Sequence, residues 1–327
     1  MRTAYRTCPF CEATCGLAIT LDGDRVTQVR GDADDVFSHG FLCPKGVALK
    51  AFHEDPERVR TPMVRQADGS FAAASWEDAF ALIGERLPAI QAEHGRDAVG
   101  IYLGNPSVHS VAGQLYGRVL IKALQSRNVF SASTVDQFPK QAACAHMFGG
   151  GLLVPIPDLD RTDHLLMLGA NPAASNGSLM TAPDARGRIA AISARGGKVV
   201  VVDPRRTRSA KLADEHVWIR PGTDALLLFA LVHVIFAEGL AKPGEHLNGV
   251  ETVGALARDF PPEAVEGPTG IPADVVRRMA RELAAAPRAV VYGRIGTTTQ
   301  AFGTTASWLV DVLNAITGNL DRPGGAL

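Results

Sequence analysis

Short apolar runs alternate with helix-like segments over most of this 327-residue chain. The runs that are apolar at nearly every position cover residues 99–104, 164–169, 198–202 and 289–293. Between them, apolar residues recur every three or four positions, as they do on one face of a helix. Strands that are apolar on both faces and alternate with helices are typical of a parallel sheet covered on both sides. The pattern therefore predicts doubly wound, mostly parallel α/β domains of the Rossmann-like kind.

The first long helix is predicted to begin near Ser75, because Ser75-Trp-Glu-Asp78 resembles a capping box with Asp in place of Glu or Gln. One apolar stripe follows, made of Trp76, Phe80, Ile83, Leu87 and Ile90. Its spacing predicts that this helix face packs into a core, with a kink at Pro88. Val111, Leu115, Val119 and Ala123 predict a second helix with a similar apolar face.

Composition and charge narrow the class of protein. A hydrophobic content of 46 % is enough for a large core, and the length favours more than one domain. A formal net charge of -1, without a run of Lys or Arg, argues against nucleic-acid binding. The apolar run 225–237 is interrupted by His233 and is shorter than the roughly 18 residues of a membrane span, so it predicts a buried helix. No export signal precedes Cys8, which predicts a cytoplasmic location.

Four cysteines near the start of the chain have the spacing of a metal-cluster site. Cys8, Cys11, Cys15 and Cys43 are separated by two, three and 27 residues, and Cys43 is followed by Pro44. Cys thiolates hold iron-sulfur clusters in such sets, often with a proline after the last ligand. The spacing therefore predicts a 4Fe-4S cluster in a small domain over residues 1–60, followed by an α/β region over residues 61–327.

Two other uses of these cysteines are possible in principle. A four-thiolate zinc site would need three ligands on one side and one on the other, whereas zinc sites more often combine two CxxC pairs. Disulfides are typical of short, Cys-dense secreted chains, and this chain is neither short nor preceded by a signal peptide. The fifth cysteine, Cys144, lies far from the set in Ala-Ala-Cys-Ala-His146 and has the surroundings of an ordinary buried residue.

Glycine and polar residues follow the predicted strands at the positions where a parallel sheet binds ligands. Glycine lets the backbone approach a phosphate, and an acidic side chain can accept hydrogen bonds from a ribose or a guanine edge. Together these residues predict a site for a nucleotide-containing ligand. Asp203 could instead be a strand-end cap, and Asp224 a plain first-turn acid. The candidate residues are Gly169, Asn171, Asp203, Arg205, Thr207, Gly222, Thr223, Asp224, Gly293 and Gly296.

An ordered series of motifs resembles the molybdopterin oxidoreductase family of the dimethyl sulfoxide reductase type, which includes formate dehydrogenases and nitrate reductases. The resemblance rests on the cysteine set, on Cys43-Pro-Lys-Gly and on Leu168-Gly-Ala-Asn-Pro. It continues through Val202-Asp-Pro-Arg-Arg-Thr, Ile219-Arg-Pro-Gly-Thr-Asp, His233-Val-Ile and Thr317-Gly-Asn-Leu-Asp-Arg-Pro-Gly-Gly325. The similarity thus runs from Cys8 to Gly325.

The resemblance implies a bis(molybdopterin guanine dinucleotide) cofactor with molybdenum or tungsten, and a cluster that exchanges electrons with it. It implies oxidation or reduction of a small-molecule substrate, of the formate-oxidising or oxyanion-reducing kind, with a redox partner protein or a further electron-transfer subunit. By the family pattern, Lys45 lies between cluster and pterin. The same pattern implies that one guanine dinucleotide arm is held by Asp203, Arg205, Gly222, Thr223 and Asp224.

One departure from the family concerns the metal ligand. Formate dehydrogenases and periplasmic nitrate reductases place a Cys or selenocysteine eight residues after an Asn at a strand end, and counting from Asn128 that position is Asp136. Formate dehydrogenases have a His after the ligand, where this chain has Gln137. Asp136 is therefore the candidate ligand, since an oxygen donor suits a high-valent metal. Ser133 and Cys144 are the alternatives.

A second departure concerns length. Chains of the family continue well beyond the Asn-Leu-Asp-Arg-Pro-Gly-Gly segment, into a C-terminal domain that covers the cofactor. We therefore expect this chain to need such a part, in the same or another polypeptide, and to turn over no substrate by itself. A non-catalytic iron-sulfur electron-transfer or scaffold subunit derived from the family is an alternative function, and a purely nucleotide-binding regulator is another.

Overall fold

The computed structural model describes residues 1–178 and 180–327. The chain divides into two compact units, Met1–Ala132 and Ser133–Leu327. Each unit has its own sheets and helices, so each is described by itself.

The first unit begins with an antiparallel sheet that carries the cysteine region. Its strands are adjacent in chain order, because short turns connect them. They are β1 (Arg2–Thr7), β2 (Gly16–Asp22) and β3 (Arg25–Gly31). Two short helices follow, α1 (Pro44–Val47) and α2 (Leu49–His53). A small antiparallel hairpin, β4 (Met63–Arg65) and β5 (Phe71–Ala73), then leads into the first long helix.

The rest of the first unit is a strand-helix-strand arrangement preceded by a helix. The elements are α3 (Trp76–His94), β6 (Ile101–Leu103), α4 (Val111–Leu124) and β7 (Val129–Ser131). The Ser75 hydroxyl accepts a hydrogen bond from Asp78 N at 3.0 Å, so the predicted helix start is confirmed. Helix α3 continues through Pro88 to His94. Strand β6 pairs in parallel with β7, in a sheet separate from that of the second unit.

The prediction that the α3 stripe packs into a core was wrong. Trp76 is 60 % exposed and Phe80 is 64 % exposed, and Ile83 and Ile90 are also on the surface. The apolar face of α4 is likewise exposed at Val111, Leu115 and Val119. The physical reason is that β6 and β7 form a narrow sheet of short strands, and within the described residues it offers no wide surface that could cover two helices.

The second unit contains the predicted parallel α/β sheet. Its strands are β8 (His164–Leu168), β9 (Lys198–Val202), β10 (Glu215–Val217) and β11 (Ala289–Gly293). They lie in the order β10-β9-β8-β11, and every neighbouring pair is parallel. The prediction of a parallel sheet is therefore confirmed. The carboxyl ends of all these strands meet at one edge of the sheet, because parallel strands run in the same direction.

Helices cover both faces of this sheet. Leu166, Leu168, Val200 and Val202 pack into one core, and the residues that alternate with them pack into another. Helix α9 contains the long apolar run and is buried, as predicted. The helices of the unit are α5 (Ser133–Asp136), α6 (Phe138–Phe148), α7 (Pro172–Ser175), α8 (Ala185–Ala194), α9 (Asp224–Ala237), α10 (Val250–Ala257), α11 (Pro262–Thr269), α12 (Ala273–Ala285), α13 (Ile295–Thr298) and α14 (Gly303–Ile316).

None of the helices formed by the described residues is both long enough and apolar enough to cross a lipid bilayer.

Helix α14 holds the edge strand β11 through a side chain. The Asn314 Oδ1 atom accepts a hydrogen bond from Val291 N at 2.8 Å, and Asn314 Nδ2 donates to Val291 O at 2.9 Å. Asn319 Oδ1 accepts from Ala289 N at 3.1 Å, which extends the pairing by one more bond. These amides therefore satisfy backbone groups of a buried strand edge that would otherwise lack partners.

We expect Asn314→Ala to lower the free energy of unfolding of the second unit by roughly 2–4 kcal/mol, because it leaves a buried N-H and C=O without partners. Urea unfolding followed by far-ultraviolet circular dichroism measures this difference. The exposed Asn248 provides the matched control, and Asn248→Ala should change the unfolding midpoint little. Equal midpoints for the two variants would contradict this role of Asn314.

Candidate functional site

A hairpin brings the first three cysteines together. Strands β1 and β2 pair up to Thr7 and Gly16, so residues 8–15 form the loop that joins them. Cys8 N donates a hydrogen bond to Cys15 O at 2.8 Å, which closes the base of this loop. Cys8 and Cys15 are therefore held next to each other, and Cys11 lies between them in the loop.

The segment before Cys43 is tied back to the same hairpin. Ser38 Oγ accepts a hydrogen bond from Gly16 N at 3.0 Å and donates to Asp35 Oδ1 at 2.7 Å. Gly31 and Gly40 approach so closely that a Cβ atom at Gly31 would collide with the Gly40 carbonyl. Cys43 lies three residues after Gly40 and is the N-cap residue of α1. The chain thus returns the fourth cysteine to the first three.

The cysteine thiols are close enough to affect one another's pKa. The pKa of the Cys15 thiol is raised to about 11, mainly by burial and in addition by the nearby Cys8, Cys11 and Cys43. Burial is also the main cause that raises the pKa of Cys8, with Lys45 acting in the opposite direction. Thiolates that repel each other in a buried place are stabilised by cations, so the set fits a positively charged iron-sulfur core. All five cysteines of the chain are free thiols.

Among the residues that the structure describes, no group of three or more His, Cys, Asp or Glu side chains is arranged to hold a metal ion. A site for a single metal ion brings several ligand atoms to that one ion. In a cubane each thiolate binds a different iron, and its four sulfur ligands stand further apart. The buried, mutually coupled thiols near Lys45 have the chemistry that such a cluster needs.

The second group of candidate residues lies at the carboxyl edge of the parallel sheet, where two glycines make a close backbone contact. Gly169 follows β8 and Gly296 lies in α13, and Gly296 N donates to Gly169 O at 2.9 Å. A Cβ atom on Gly169 would lie 2.8 Å from Gly296 Cα, and one on Gly296 would lie 2.7 Å from Gly169 Cα. Gly169 also has a positive φ of 55°. Both positions therefore require glycine.

Two carboxylates come together at this edge. Asp203 follows β9, and its Oδ1 atom accepts a hydrogen bond from Arg205 N at 2.8 Å. Asp224 opens helix α9. Burial is the main cause that raises the pKa of each carboxyl, and the Asp203 charge contributes to the rise at Asp224. Arg205 acts on Asp203 as a nearby charge that lowers its pKa, but neither acid forms an ion pair among the described residues. Both are therefore suited to accept hydrogen bonds from a ligand that carries N-H groups.

Gln300 completes this set of acceptors. Its Nε2 atom donates to Asp224 Oδ2 at 2.7 Å and to Gly296 O at 2.9 Å, which orients the amide. Its Oε1 atom is buried and has no hydrogen-bond partner among the described residues. Gly222 has a φ of 86°, and a Cβ atom built there would meet only Gln300 Oε1, at 3.8 Å. An unsatisfied buried acceptor beside a bare glycine fits a ligand donor at this place.

The other residues predicted for this edge differ in what their side chains contact and in how exposed they are. Asn171 Oδ1 accepts from Ser209 Oγ at 2.9 Å, and Thr207 Oγ1 accepts from Ala210 N at 3.0 Å, so both side chains stabilise the loop after β9. The Thr223 hydroxyl donates to Arg220 O at 2.7 Å. Arg205 is exposed on the surface, and Gly293 ends β11.

Asp136 lies at the end of the short helix α5, with its backbone tied to α13. Thr298 Oγ1 donates to Asp136 O at 2.8 Å. The Asp136 Oδ1 atom is buried and has no hydrogen-bond partner among the described residues. An oxygen donor in that condition fits a metal ligand. Of the alternatives, Cys144 is fully buried in α6, and burial raises the pKa of its thiol. Ser133 begins α5.

Sequence reasoning missed Gln300 and Thr298. Both are ordinary polar residues within or just after α13, and no spacing marks them. Their role appears only because the contact between Gly169 and Gly296 places α13 beside Asp136 and Asp224. A polar residue a few positions after a strand-end glycine was the one available signal, and it is weak.

Two family models match the chain. Residues 1–54 match the molybdopterin oxidoreductase Fe4S4 domain, and residues 58–327 match the model described as molybdopterin oxidoreductase. Together they cover the hairpin with the cysteines and all the strands that form the candidate ligand site.

Several known enzymes are similar in sequence. Formate dehydrogenase H of Escherichia coli is 29 % identical over 335 residues, covering 99 % of this chain and 46 % of that protein. A nitrate reductase of Symbiobacterium thermophilum is 28 % identical, covering 99 % of this chain and 44 % of the relative. The thiosulfate reductase molybdopterin-containing subunit PhsA of Salmonella typhimurium is 28 % identical, covering 97 % and 41 %. The chain thus spans less than half the length of these relatives.

A solved structure shares the fold. Acetylene hydratase from Pelobacter acetylenicus superposes with a TM-score of 0.80 at 23 % sequence identity, covering 99 % of this chain and 44 % of that chain. At this identity the likeness supports the architecture only, and it agrees with the α/β prediction.

We expect the purified protein to contain iron and acid-labile sulfide at about four each per chain, as one cubane requires. Cys43→Ser should lose most of both, because it removes one of the four coupled thiols. Cys144→Ser serves as the matched control and should keep both, since Cys144 lies in the second unit. Iron and sulfide assays give the answer, and a Cys43→Ser protein with a full cluster would disprove the ligand assignment.

Proposed function

The chain belongs to the molybdopterin oxidoreductase family, and on that premise we propose that it binds molybdenum or tungsten as a bis(molybdopterin guanine dinucleotide) in a redox enzyme. The matched domains are those of a 4Fe-4S cluster and of a molybdopterin. When bound, the metal supplies two-electron oxidation or reduction of a small substrate. The residues of this chain bind that group, orient it and connect it to an electron carrier.

The observation that carries the dinucleotide proposal is the acceptor set at the edge of the sheet. Asp203, Asp224 and the Gln300 amide oxygen are buried, and neither carboxylate forms an ion pair among the described residues. A guanine edge presents an N-H and an NH₂ group, which can donate hydrogen bonds to these acceptors. Gly222 leaves the space beside Gln300 open. We therefore assign one guanine arm to this edge.

The cysteine site carries the electron-transfer part of the proposal. Cys8, Cys11, Cys15 and Cys43 would hold the cluster, because they are the mutually coupled thiols of the first unit. Lys45 acts on the Cys8 thiol as a neighbouring cation. A cation beside a cluster stabilises its reduced form, so Lys45 would tune electron transfer and not assembly.

Asp136 is proposed as the protein ligand of the metal. Its buried Oδ1 atom has no hydrogen-bond partner in the described part of the chain, and the Thr298 hydroxyl fixes its backbone.

The names of the relatives specify formate, nitrate and thiosulfate, which are all small anions. We infer that the substrate of the whole enzyme is of the same class, with formate-type oxidation or oxyanion reduction as its chemistry.

Asp203→Ala and Asp224→Ala should each reduce the guanine content of the purified protein. Either change leaves a buried guanine donor without its acceptor, at a cost of roughly 1–3 kcal/mol. Acid hydrolysis followed by chromatography of guanosine monophosphate measures the content. The exposed Asp259 provides the control, and Asp259→Ala should retain the wild-type amount. Unchanged guanine in both test variants would refute the site.

Asp136→Ala should change the metal-edge X-ray absorption spectrum of protein grown with molybdate or tungstate, because an oxygen ligand is removed. Iron content should stay the same. Ser133→Ala and Cys144→Ser test the alternatives and should leave the spectrum as in the wild type. A spectrum that changes in one of these controls, but not in Asp136→Ala, would transfer the ligand role to that residue.

A further inference from the structure

An aromatic contact joins the cysteine loop of the first unit to helix α2. Phe10 lies in the loop between Cys8 and Cys11. Its ring meets the ring of Phe52 edge to face, with 6.0 Å between the ring centroids and 76° between the ring planes. Aromatic pairs prefer this geometry, so each ring fixes the position of the other. The loop is thereby tied to a helix as well as to the hairpin that carries it.

Phe10 is the inner member of the pair. It packs against the small core that contains Cys8, Cys15 and Leu17, and it directly precedes Cys11 in the chain. Cys11 is only half-buried, whereas the other three cysteines of the set are buried. Solvent therefore reaches the cysteine set most easily at Cys11, and Phe10 is the apolar side chain that stands next to it in the loop.

Phe52 is the outer member of the pair. Its side chain is 57 % exposed, although Leu49, one helical turn earlier on α2, packs against the cysteine core. The guanidinium carbon of Arg58 lies 5.2 Å from the centroid of the Phe52 ring, which is a cation-π distance. Arg58 N donates to Asp55 O at 3.1 Å, and this turn brings Arg58 back to α2. An exposed ring is thus held by two contacts, one with Phe10 and one with Arg58.

A second exposed phenylalanine of the same unit has a cation on its ring but a different neighbourhood. Phe71 is 56 % exposed, and the guanidinium carbon of Arg65 lies 5.0 Å from its ring centroid. Phe71 belongs to the hairpin of β4 and β5, and it is not among the described residues that pack against the cysteine core. The exposure and the cation-π contact of Phe52 are therefore shared with Phe71, whereas the contact with the cysteine loop is not.

We propose that Phe10, Phe52 and Arg58 form an aromatic cover that limits the access of water and dissolved oxygen to the iron-sulfur cluster at Cys11. The inference rests on the proposed assignment of the cluster to the four cysteines. An apolar shell around a metal site controls solvent access and the local dielectric, and thereby the reduction potential. Phe10 supplies that shell beside Cys11. Phe52 and Arg58 are positioning residues, because they act by holding the Phe10 ring in place.

The test uses the 327-residue chain purified without oxygen, and it has two readouts. One is the rate at which the visible absorbance of the cluster is lost in air-saturated buffer, and the other is the midpoint potential from a titration followed by electron paramagnetic resonance. Phe52→Ala should accelerate the loss several-fold. Its potential should shift to higher values, because water stabilises the additional negative charge of the reduced cluster. Phe52→Tyr keeps the ring and should behave like the wild type in both readouts.

Phe71→Ala is the matched control, because it removes an equally exposed ring with an arginine on it. It should leave both readouts as in the wild type. Arg58→Ala should accelerate the loss of absorbance less than Phe52→Ala does, since the Phe52 ring keeps its contact with Phe10. An equal rate and an equal potential in the wild type and in Phe52→Ala would overturn the proposal. An equally fast loss in Phe71→Ala would overturn it as well.

Iron and acid-labile sulfide are measured in each preparation before air is admitted. If the wild type holds a full cluster and Phe52→Ala behaves like it in both readouts, this inference fails and the proposed function stands. If Phe52→Ala has already lost its iron without oxygen, Phe52 serves cluster assembly and the cover is overturned. A wild type without iron and sulfide would overturn the cluster assignment together with this inference.

Discussion

The contact between the backbones of Gly169 and Gly296 determines where the chemistry of the second unit can lie. A Cβ atom on either glycine would collide with the backbone of the other. The contact places α13 directly against the carboxyl end of β8. From there Thr298 reaches the backbone of Asp136 and Gln300 reaches the carboxylate of Asp224. A side chain at either glycine would move α13, and both candidate sites would lose a wall.

The charges of the second unit are separated by kind. At the exit of β9 and the start of α9, buried acceptors gather that form no ion pair among the described residues, so the site favours a ligand with donors. At the exit of β11, Lys140 and Asp311 form a buried ion pair in the wall of a cavity, and Arg294 lines the same cavity. In a low-dielectric interior such unpaired groups are costly, and bound ligands offset that cost. The two places therefore differ in the charges that they contain.

The first unit illustrates a different balance. Its antiparallel sheet and its two short helices bury three cysteines around a small core that also contains Leu17. In contrast, α3 and α4 carry amphipathic patterns whose apolar faces stay on the surface. Helices normally cover both faces of a parallel sheet. Because β6 and β7 are short and form a sheet of two strands, they give these helices little surface to pack against. An amphipathic pattern indicates that a face is meant to be covered, but it does not say by what.

Local sequence was enough for three strands of the parallel sheet and for several of the helices. Apolar runs predicted β8, β9 and β11, because a strand buried on both faces needs apolar residues at every position. The Ser75 cap and the buried α9 were also predicted, since capping and uniform apolarity act within a few residues. The cysteine spacing pointed to a cluster for the same reason, and the matched Fe4S4 domain agrees.

The sequence by itself therefore determined that the apolar segments form β8, β9 and β11, and which residue types stand at their ends. Only the tertiary structure decided that Gln300 meets Asp224, that Lys140 pairs with Asp311 across 171 positions, and that the α3 stripe stays exposed. The physical reason is one of range. Periodicity and capping report interactions between residues a few positions apart, whereas these contacts depend on how distant segments pack, and no local pattern records that packing.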